Sequence, residues 1–330
     1  MEYRRLGQTG LKVSPLCLGT MMFGRWGNAD HADSIRVIHE ALDDGINFLD
    51  TANIYSYGES EEIVGKALKG RRAEAVVATK VWGSMGPGPN QKGLSRKAVQ
   101  EQCEESLKRL GTDVIDLYQI HRPDPETPWE ETLSALTDLV RQGKVRYVGA
   151  STNHWEVQGQ KVLTAWEMVE TLWLSERKGF ERFVSLQPPY SILRRVVEAT
   201  HFPMTQRFGI GNMIWSPLEG GWLSGKYRKG KPNPGDSPRA SQWMGDTADP
   251  KFARRLEVVE KLVELAARKG IPLAEMAMAW VLQHPAVTSV IVGPRTMEQL
   301  EGAQRAAEVR FAPEELAEID ALVPPGTSVL

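Results

Sequence analysis

The sequence predicts an α/β protein folded as a (β/α)8 TIM barrel, with an N-terminal β-hairpin and extra helices around it. Eight short β-rich runs alternate with amphipathic stretches of helical period along the 330 residues. The β-rich runs are largely apolar, as parallel strands buried on both faces are. Because eight such βα units close into one barrel, we expect a single domain over residues 1–330.

The chain opens with the predicted hairpin, in which the runs YRRLG and LKVSP flank the turn QTG. Eight predicted barrel strands follow, and each leads into a loop or a helical stretch. They are LCLGT (16–20), NFLDTA (47–52), AVVATKV (75–81), VIDLYQIH (114–121), VRYVGAS (145–151), FVSLQPP (183–189), NMIWSPL (212–218) and VTSVIVG (287–293).

The predicted helices between the strands have an apolar face, and several end on glycine, as a helix C-terminus commonly does. Clear examples are SIRVIHEALDDG, EEIVGKALKG, RKAVQEQCEESLKRLG, WEETLSALTDLVRQG and FARRLEVVEKLVELAARKG. A last helix, APEELAEIDALV, lies beyond the eight repeats. A doubly wound sheet is the main alternative, but no G-x-G-x-x-G follows the first strand, and GIG at 209–211 is too weak a signal.

The net charge, the cysteines and the lack of long apolar runs argue against several classes of partner. A net charge of −2 gives no electrostatic reason to expect nucleic acid or an anionic membrane surface. The two cysteines, Cys17 and Cys103, have no metal-like spacing, so we expect neither a metal site nor a disulfide framework. The N-terminus lacks a secretory apolar segment, and no run approaches ~18 apolar residues. We therefore expect a cytoplasmic protein without a membrane partner, of undetermined oligomeric state.

Polar residues fall where a barrel places its catalytic groups, at the C-terminal ends of the strands. Asp50 lies near the end of the second predicted strand, and Tyr55 lies in the loop behind it. Lys80 and His121 lie at the ends of the third and fourth strands. Lys and Asp are rarely buried unless paired, so we predict that Lys80 is the partner of Asp50.

A tyrosine beside a buried ammonium has chemical consequences. The cation lowers the pKa of the phenol from its reference value of ~10, so the phenol can donate a proton to a developing alkoxide. A neutral His121 can hydrogen-bond the same oxygen. The constellation suits carbonyl reduction, with hydride supplied from elsewhere. Each residue also has a structural explanation, since an Asp–Lys pair can simply stabilise a barrel mouth, and Tyr57 competes with Tyr55 for the role of acid.

Several longer motifs are distinctive: YRRLGQTGLKVSPLCLGTMMFG, DTANIYSYGESE, ATK, DLYQIH, WSPLEGGWLSGKY and VGPRT. Through them the sequence closely resembles the aldo-keto reductase family, from residue 2 to the final helix. The resemblance implies reduction of aldehydes or ketones to alcohols, with NADP(H) as cofactor. It also implies a catalytic tetrad in which Tyr55, rather than Tyr57, is the general acid. The tetrad is Asp50, Tyr55, Lys80 and His121.

The resemblance further implies which residues contact the cofactor. Ser151 and Gln187 would hold the nicotinamide carboxamide, and Trp215 would stack on the ring. Arg295 would contact the 2′-phosphate, since its planar fork suits that group. Gly19, Thr20 and Met21 would lie beside the nicotinamide and its ribose. Five residues would line the pyrophosphate, namely Ser216, Leu218, Gly220, Ser224 and Lys226. Gln299 would lie near the adenosine, and the other implied contacts are Asp50, Thr152 and Gly293.

Two positions depart from the family pattern. Asn usually follows the serine of the fifth strand, whereas Thr152 and then Asn153 follow Ser151 here. Either of them can take the asparagine's role. Asn often lies eight residues after the arginine position, but Ala303 occupies that place here. One adenine contact is thereby weakened, and the preference for NADPH rests mainly on Arg295.

A second function stays open: a nucleotide-sensing regulatory subunit resembling the potassium-channel β subunits that share this fold. Such a protein would keep the cofactor site and turn over slowly, and the lack of an N-terminal extension favours the enzyme. Substrate choice is expected to depend on long loops at the barrel mouth, whose tryptophans either form an aromatic wall for the substrate or anchor the loops. These are loops 22–31, 82–95 and 226–245, with Trp26, Trp82 and Trp243.

Overall fold

A computed structural model describes residues 1–152, 162–231 and 249–329 of the chain. Asn153, Trp243 and most of loop 226–245 lie outside these described residues. Within them ten strands alternate with helices in the predicted order. The strands are β1 (Arg4–Arg5), β2 (Lys12–Val13), β3 (Leu16–Gly19), β4 (Phe48–Asp50), β5 (Val76–Val81), β6 (Ile115–Ile120), β7 (Val145–Ser151), β8 (Phe183–Gln187), β9 (Gly211–Ile214) and β10 (Val287–Val292).

Strands β3 to β10 form a closed barrel in chain order, and every neighbouring pair is parallel. The ring closes where β10 pairs with β3. This arrangement confirms the predicted (β/α)8 barrel. Its register brings polar residues together at the C-terminal ends of the strands: Asp50 lies opposite Ala78, two residues before Lys80, and Lys80 lies opposite Gln119.

The N-terminal hairpin is also confirmed, since β1 and β2 pair antiparallel. Its buried residues Leu6 and Val13 pack against side chains that point into the barrel. Those side chains are Cys17, Phe48, Val76, Ala78, Leu117 and Met213. The hairpin thus covers the apolar end of the barrel interior. The polar residues Asp50 and Lys80 lie at the other end, where the strands have their C-termini.

Ten α helices are described. They are α1 (His31–Asp43), α2 (Glu59–Ala67), α3 (Arg96–Leu110), α4 (Trp129–Arg141), α5 (Ala165–Lys178), α6 (His201–Phe208), α7 (Ala253–Lys269), α8 (Leu273–Gln283), α9 (Met297–Glu308) and α10 (Pro313–Leu322). Helix α3 begins after the N-cap Ser95 and ends at the predicted Gly111. Helix α10, which begins at Pro313, is the predicted terminal helix and packs against α7.

The two predicted strands that contain proline are too long at their C-terminal ends. Strand β8 ends at Gln187 and β9 at Ile214, whereas the sequence predicted strands to residues 189 and 218. The cause is local, because Pro188 and Pro217 have no N–H to donate to a ladder. Ser216 also takes a positive φ of 58°. The chain therefore leaves the barrel earlier and turns over its mouth. No helix within the described ranges is long and apolar enough to cross a membrane.

Candidate active site

The centre of the site is a buried ammonium with three acceptors. Lys80 is completely buried. Its Nζ donates to Asp50 Oδ1 at 2.5 Å, to the Thr51 carbonyl at 2.8 Å and to Tyr55 Oη at 3.2 Å. An ammonium has three N–H donors, so the three contacts use all of them. The predicted pairing of Asp50 with Lys80 is confirmed.

Two opposing effects act on the charge of Lys80. Burial lowers the pKa of the ammonium, because the interior solvates a charge poorly. The negative charge of Asp50 and the electrostatic and hydrogen-bond contacts with Asp50 and Tyr55 act in the opposite direction, and the pKa of Lys80 is raised overall. Lys80 therefore stays protonated, which keeps a fixed positive charge beside the oxygen of Tyr55.

Two buried amides hold the carboxylate of Asp50. Gln119 Nε2 and Gln187 Nε2 donate to Asp50 Oδ2 at 3.1 and 2.9 Å. The carboxylate is thus fixed on both oxygens, by Lys80 on one side and by the amides on the other. Sequence reasoning missed Gln119. The signal was present, because Gln119 lies two residues before His121 and side chains of a strand alternate between faces.

Tyr55 begins a short 3-10 turn with unusual backbone angles. Ser56, Tyr57 and Gly58 all have positive φ, of 49°, 57° and 95°. Conformations of this kind are costly for non-glycine residues and persist where surrounding contacts hold them. At Gly58 a Cβ would lie 2.6 Å from Arg109 Cδ, so only glycine fits. The turn buries part of Tyr55 and leaves Tyr57 60% exposed.

The contacts that hold this turn come from the loop after β3. Ser56 Oγ donates to the Phe23 carbonyl at 3.0 Å and accepts from Trp26 N at 3.2 Å. The Trp26 ring lies 6.3 Å from the ring of Tyr55 and 5.9 Å from that of Tyr57. Loop 22–31 therefore lies beside the predicted acid.

His121 packs edge-on against Tyr55, with ring centroids 5.7 Å apart and planes at 80°. Burial holds the pKa of His121 well below its usual range, and the positive charges of Lys80 and Arg122 lower the pKa further. The imidazole is therefore neutral near pH 7. A neutral ring can donate one hydrogen bond without adding charge, which fits a role in orienting a carbonyl oxygen.

Residues predicted to meet the nicotinamide lie at neighbouring strand ends. Ser151 Oγ donates to the Gln187 carbonyl at 3.1 Å. The Thr152 hydroxyl exchanges hydrogen bonds with the backbone of Leu163, at 3.0 and 3.1 Å. Trp215 Nε1 donates to the Thr152 carbonyl at 3.2 Å, which fixes the half-buried indole over the end of β7. Asn153, the other candidate for the asparagine's role, is outside the described residues.

Strand β3 brings the next predicted residues to the mouth. Gly19 approaches β10 so closely that a Cβ would lie 2.6 Å from Ile291 Cγ2. Thr20 is buried, and its N–H donates to the Asp50 carbonyl at 2.9 Å. Its hydroxyl is 2.8 Å from Ser60 Oγ, so this side chain already has a partner. Met21 follows, half-buried.

The segment predicted to contact the pyrophosphate is a turn with several left-handed residues. Ser216, Glu219, Gly220 and Gly221 have φ of 58°, 48°, 65° and 112°. Gly220 N donates to Ser216 Oγ at 3.1 Å, and the buried Arg194 pairs with Glu219 and holds the turn. Successive backbone N–H groups in such turns form concavities that bind anions. The other predicted residues of this segment are Leu218, Ser224 and Lys226; Lys226 is exposed.

The last group of predicted residues lies where β10 leads into α9. Thr296 caps the helix by accepting from Gln299 N. Arg295 N donates to Gln299 Oε1 at 2.8 Å, while the half-buried Arg295 guanidinium has no ion pair among the described residues. Gly293 is exposed, and Ala303 is buried in the core at 1% exposure. The described residues contain no group of side chains that could hold a metal ion.

A surface cluster ties loop 22–31 to the start of α2. Arg25 donates to Glu59 Oε2 through its backbone N at 3.0 Å and its Nε at 3.2 Å, and His31 Nε2 lies 2.8 Å from Glu59 Oε1. The hydrogen bond with His31, followed by those from Arg25, lowers the pKa of Glu59 to about 2. The cluster fixes the loop next to the turn that carries Tyr55.

This cluster gives a pH-dependent stability. Glu59→Gln should destabilise the protein at pH 7 by at most about 1 kcal/mol, because the pair is partly solvated. Since the folded-state pKa is lowered, the stabilisation is present above roughly pH 5 and disappears as the pH falls towards 2. Thermal unfolding of both proteins between pH 7 and 3 measures this. A difference in Tm that stays constant over this range would contradict the assignment.

Comparisons with known proteins identify the family of this chain. The model of the aldo/keto reductase family matches residues 15–324. The chain is 40% identical to the uncharacterized oxidoreductase YrpG of Bacillus subtilis, over 98% of this chain and 96% of that protein. It is 38% identical to a probable voltage-gated potassium channel subunit beta of Arabidopsis thaliana, over 94% and 92%. It is 35% identical to the versiconal hemiacetal acetate reductase of Aspergillus parasiticus, over 96% and 95%. The chain belongs to the aldo/keto reductase family.

Proposed function

We propose that the protein is an NADPH-dependent oxidoreductase that reduces aldehydes or ketones to alcohols, with Tyr55 as general acid. The observation that carries the proposal is the position of Lys80, whose Nζ contacts both Asp50 and Tyr55 at the barrel mouth. A phenol beside a buried, fixed cation is suited to proton donation. Membership in an oxidoreductase family supports the same reaction class.

The residues have separate tasks in this reaction. Tyr55 Oη gives its proton to the carbonyl oxygen as negative charge develops there, and the Lys80 ammonium stabilises the charge left on the phenol oxygen. Neutral His121 donates a hydrogen bond to the same carbonyl oxygen and orients it. Asp50 keeps Lys80 in place, and Gln119 and Gln187 keep Asp50 in place. When bound, the nicotinamide supplies the hydride.

Several features of this chain are suited to binding the phosphate groups of a dinucleotide. The left-handed turn from Ser216 to Gly221 presents an anion-binding backbone shape. Arg295 lies just before the N-terminus of α9, where a helix favours phosphate. Gln187 uses its Nε2 on Asp50, which leaves Oε1 as the acceptor for a carboxamide. The remaining proposed contacts are Gly19, Thr20, Met21, Ser151, Thr152, Trp215, Leu218, Ser224, Lys226, Gly293 and Gln299.

The direct test of this proposal is a screen of simple aldehydes and ketones with the purified protein, following the loss of NADPH absorbance. We expect multiple turnovers with at least one simple aldehyde. Tight NADPH binding without turnover on any carbonyl compound would instead support the second candidate, a nucleotide-sensing regulatory subunit. That candidate is favoured by the identities of 38% and 36% to plant proteins named probable potassium channel beta subunits.

Arg295→Ala should weaken NADPH binding by about 10- to 100-fold, because a charge-assisted contact to the 2′-phosphate is lost. NADH has no such phosphate, so its affinity should stay nearly constant and serves as the internal control. Titration of each cofactor by tryptophan fluorescence measures both values. Raising the ionic strength should reduce the ratio of NADPH affinity to NADH affinity in the unmodified protein. Equal losses for the two cofactors would remove Arg295 from this role.

A further inference from the structure

Arg122 is a cation at the barrel mouth that has no assigned task. It directly follows His121 after the end of β6. Its guanidinium carbon lies 5.4 Å from the ring of Trp82, the residue that follows the last residue of β5. Its Nη1 is buried and has no hydrogen-bond partner within the described ranges. Buried donors are normally paired, so an unpaired one needs a reason.

Carboxylates that are close to Arg122 along the chain or belong to the same end of the barrel already have partners. Asp124, the nearest acid along the chain, accepts from the backbone of Leu94 and Glu126 at 2.8 and 3.0 Å. Asp50 is held by Lys80 and two glutamines, and Glu59 by Arg25 and His31. Burial lowers the pKa of Arg122, yet a guanidinium remains charged at neutral pH. The positive charge therefore lacks a counter-charge from the described residues.

Arg122 interacts electrostatically with two of the residues proposed to act on the substrate, His121 and Tyr55. The positive charge of Arg122 contributes to the lowered pKa of His121, and the interaction with Tyr55 favours the charged form of Arg122. Trp82 begins a loop that contacts the turn carrying Tyr55. The contact is close, since a Cβ on Gly83 would lie 2.6 Å from the Cβ of Ile54, the residue before Tyr55. An open cavity of about 370 Å³ lies between this turn and the loop; Ile54, Tyr57, Ser84, Met85 and Gly86 line it.

We propose that Arg122 binds a carboxylate of the substrate, so that the protein acts on aldehydes or ketones that carry a carboxylate. This inference rests on the proposed reductase function. A guanidinium presents parallel N–H donors that match the two oxygens of a carboxylate. The indole of Trp82, whose centre lies 5.4 Å from the guanidinium carbon, would limit the movement of the guanidinium. With the carbonyl oxygen at Tyr55 and His121, the carboxylate would be the second anchor that fixes the substrate's direction.

The test compares substrates that differ only in charge. The 2-, 3- and 4-carboxybenzaldehydes are measured against their methyl esters with NADPH, and the ratio of kcat/KM for acid over ester is taken for each pair. We expect a ratio above one for at least one isomer, and a fall of that ratio by about 10- to 100-fold in Arg122→Gln. Arg122→Lys should recover part of the ratio, because the charge returns without the fork.

A control separates this contact from general attraction of anions. Lys97→Gln removes an exposed cation from α3, outside the loops expected to determine substrate choice, and should leave the ratio unchanged. Equal ratios in the unmodified protein and in Arg122→Gln would overturn the inference, while reduction of the esters would still support the reductase. If neither acids nor esters are reduced, the reductase proposal fails instead. Fluorescence titration with 4-methylbenzoate against 4-methylbenzamide then decides on the anion site: a preference for the benzoate that Arg122→Gln abolishes supports it, and no preference overturns it.

Discussion

Tyr55→Phe should lower kcat for aldehyde reduction by about 100- to 10,000-fold, the range that general acid catalysis contributes. The substitution removes the oxygen to which Lys80 Nζ donates and keeps the ring that lies under Nζ and packs against His121 and Trp26. Binding of NADPH should therefore change little. Steady-state kinetics on one aldehyde, together with cofactor titration by fluorescence, measure the two effects separately.

Tyr57→Phe is the matched control, because it removes the same hydroxyl two residues away from a ring that is 60% exposed. The unusual backbone of the turn turns this ring away from Lys80 and places Tyr55 beside it. The variant should keep nearly full activity. Loss of reduction in Tyr57→Phe, with an active Tyr55→Phe, would reassign the acid; full activity in both would rule out the phenol mechanism.

Lys80→Met should reduce both turnover and stability. The rate falls because the phenol loses the cation that stabilises its charge. The free energy of unfolding should decrease by about 3–5 kcal/mol, since removal of one partner leaves the buried carboxylate of Asp50 without its counter-charge. Gln119 and Gln187 still donate to that carboxylate, but they carry no charge. Urea unfolding followed by tryptophan fluorescence, at the pH used for kinetics, measures the loss.

A double variant distinguishes the two effects of Lys80. Asp50→Asn combined with Lys80→Met removes the uncompensated charge, so much of the lost stability should return. The turnover should stay low, because the cation beside Tyr55 is still missing. If the double variant is no more stable than Lys80→Met, the ion pair does not account for the destabilisation.

The fold and the centre of the site were predictable because two simple periodicities determine them. Apolar strands alternating with amphipathic helices permit few architectures other than the barrel. Since parallel strands end at the same edge of the barrel, Asp50 and Lys80 had to lie near each other. The pairing followed from the cost of burying either charge alone.

Other features depend on contacts that a linear pattern does not contain. The positive φ of Ser56 and Tyr57 is imposed by hydrogen bonds to a loop more than one element away. Their residue types do not indicate it, because left-handed backbone is expected at glycine rather than serine or tyrosine. The sequence also does not predict that Arg122 lacks an ion-pair partner among the described residues. Asp124, two residues later, could have paired with it, but the structure shows that Asp124 accepts hydrogen bonds from the backbone of Leu94 and Glu126.

The pairing of β10 with β3, which closes the barrel, joins the two most distant strands of the barrel sequence. Ser289 Oγ donates to the Ser14 carbonyl across 275 positions of sequence, so the ring closes only after nearly the whole chain is available. The residues of the tetrad, in contrast, all belong to the first 121 positions and to neighbouring strands. Contacts of long sequence separation slow folding, because loop-closure entropy is lost before they form. During synthesis, Asp50 on β4 and Lys80 on β5 can therefore pair early. Gly19 and Arg295 can come together at the barrel mouth only later, when β10 pairs with β3.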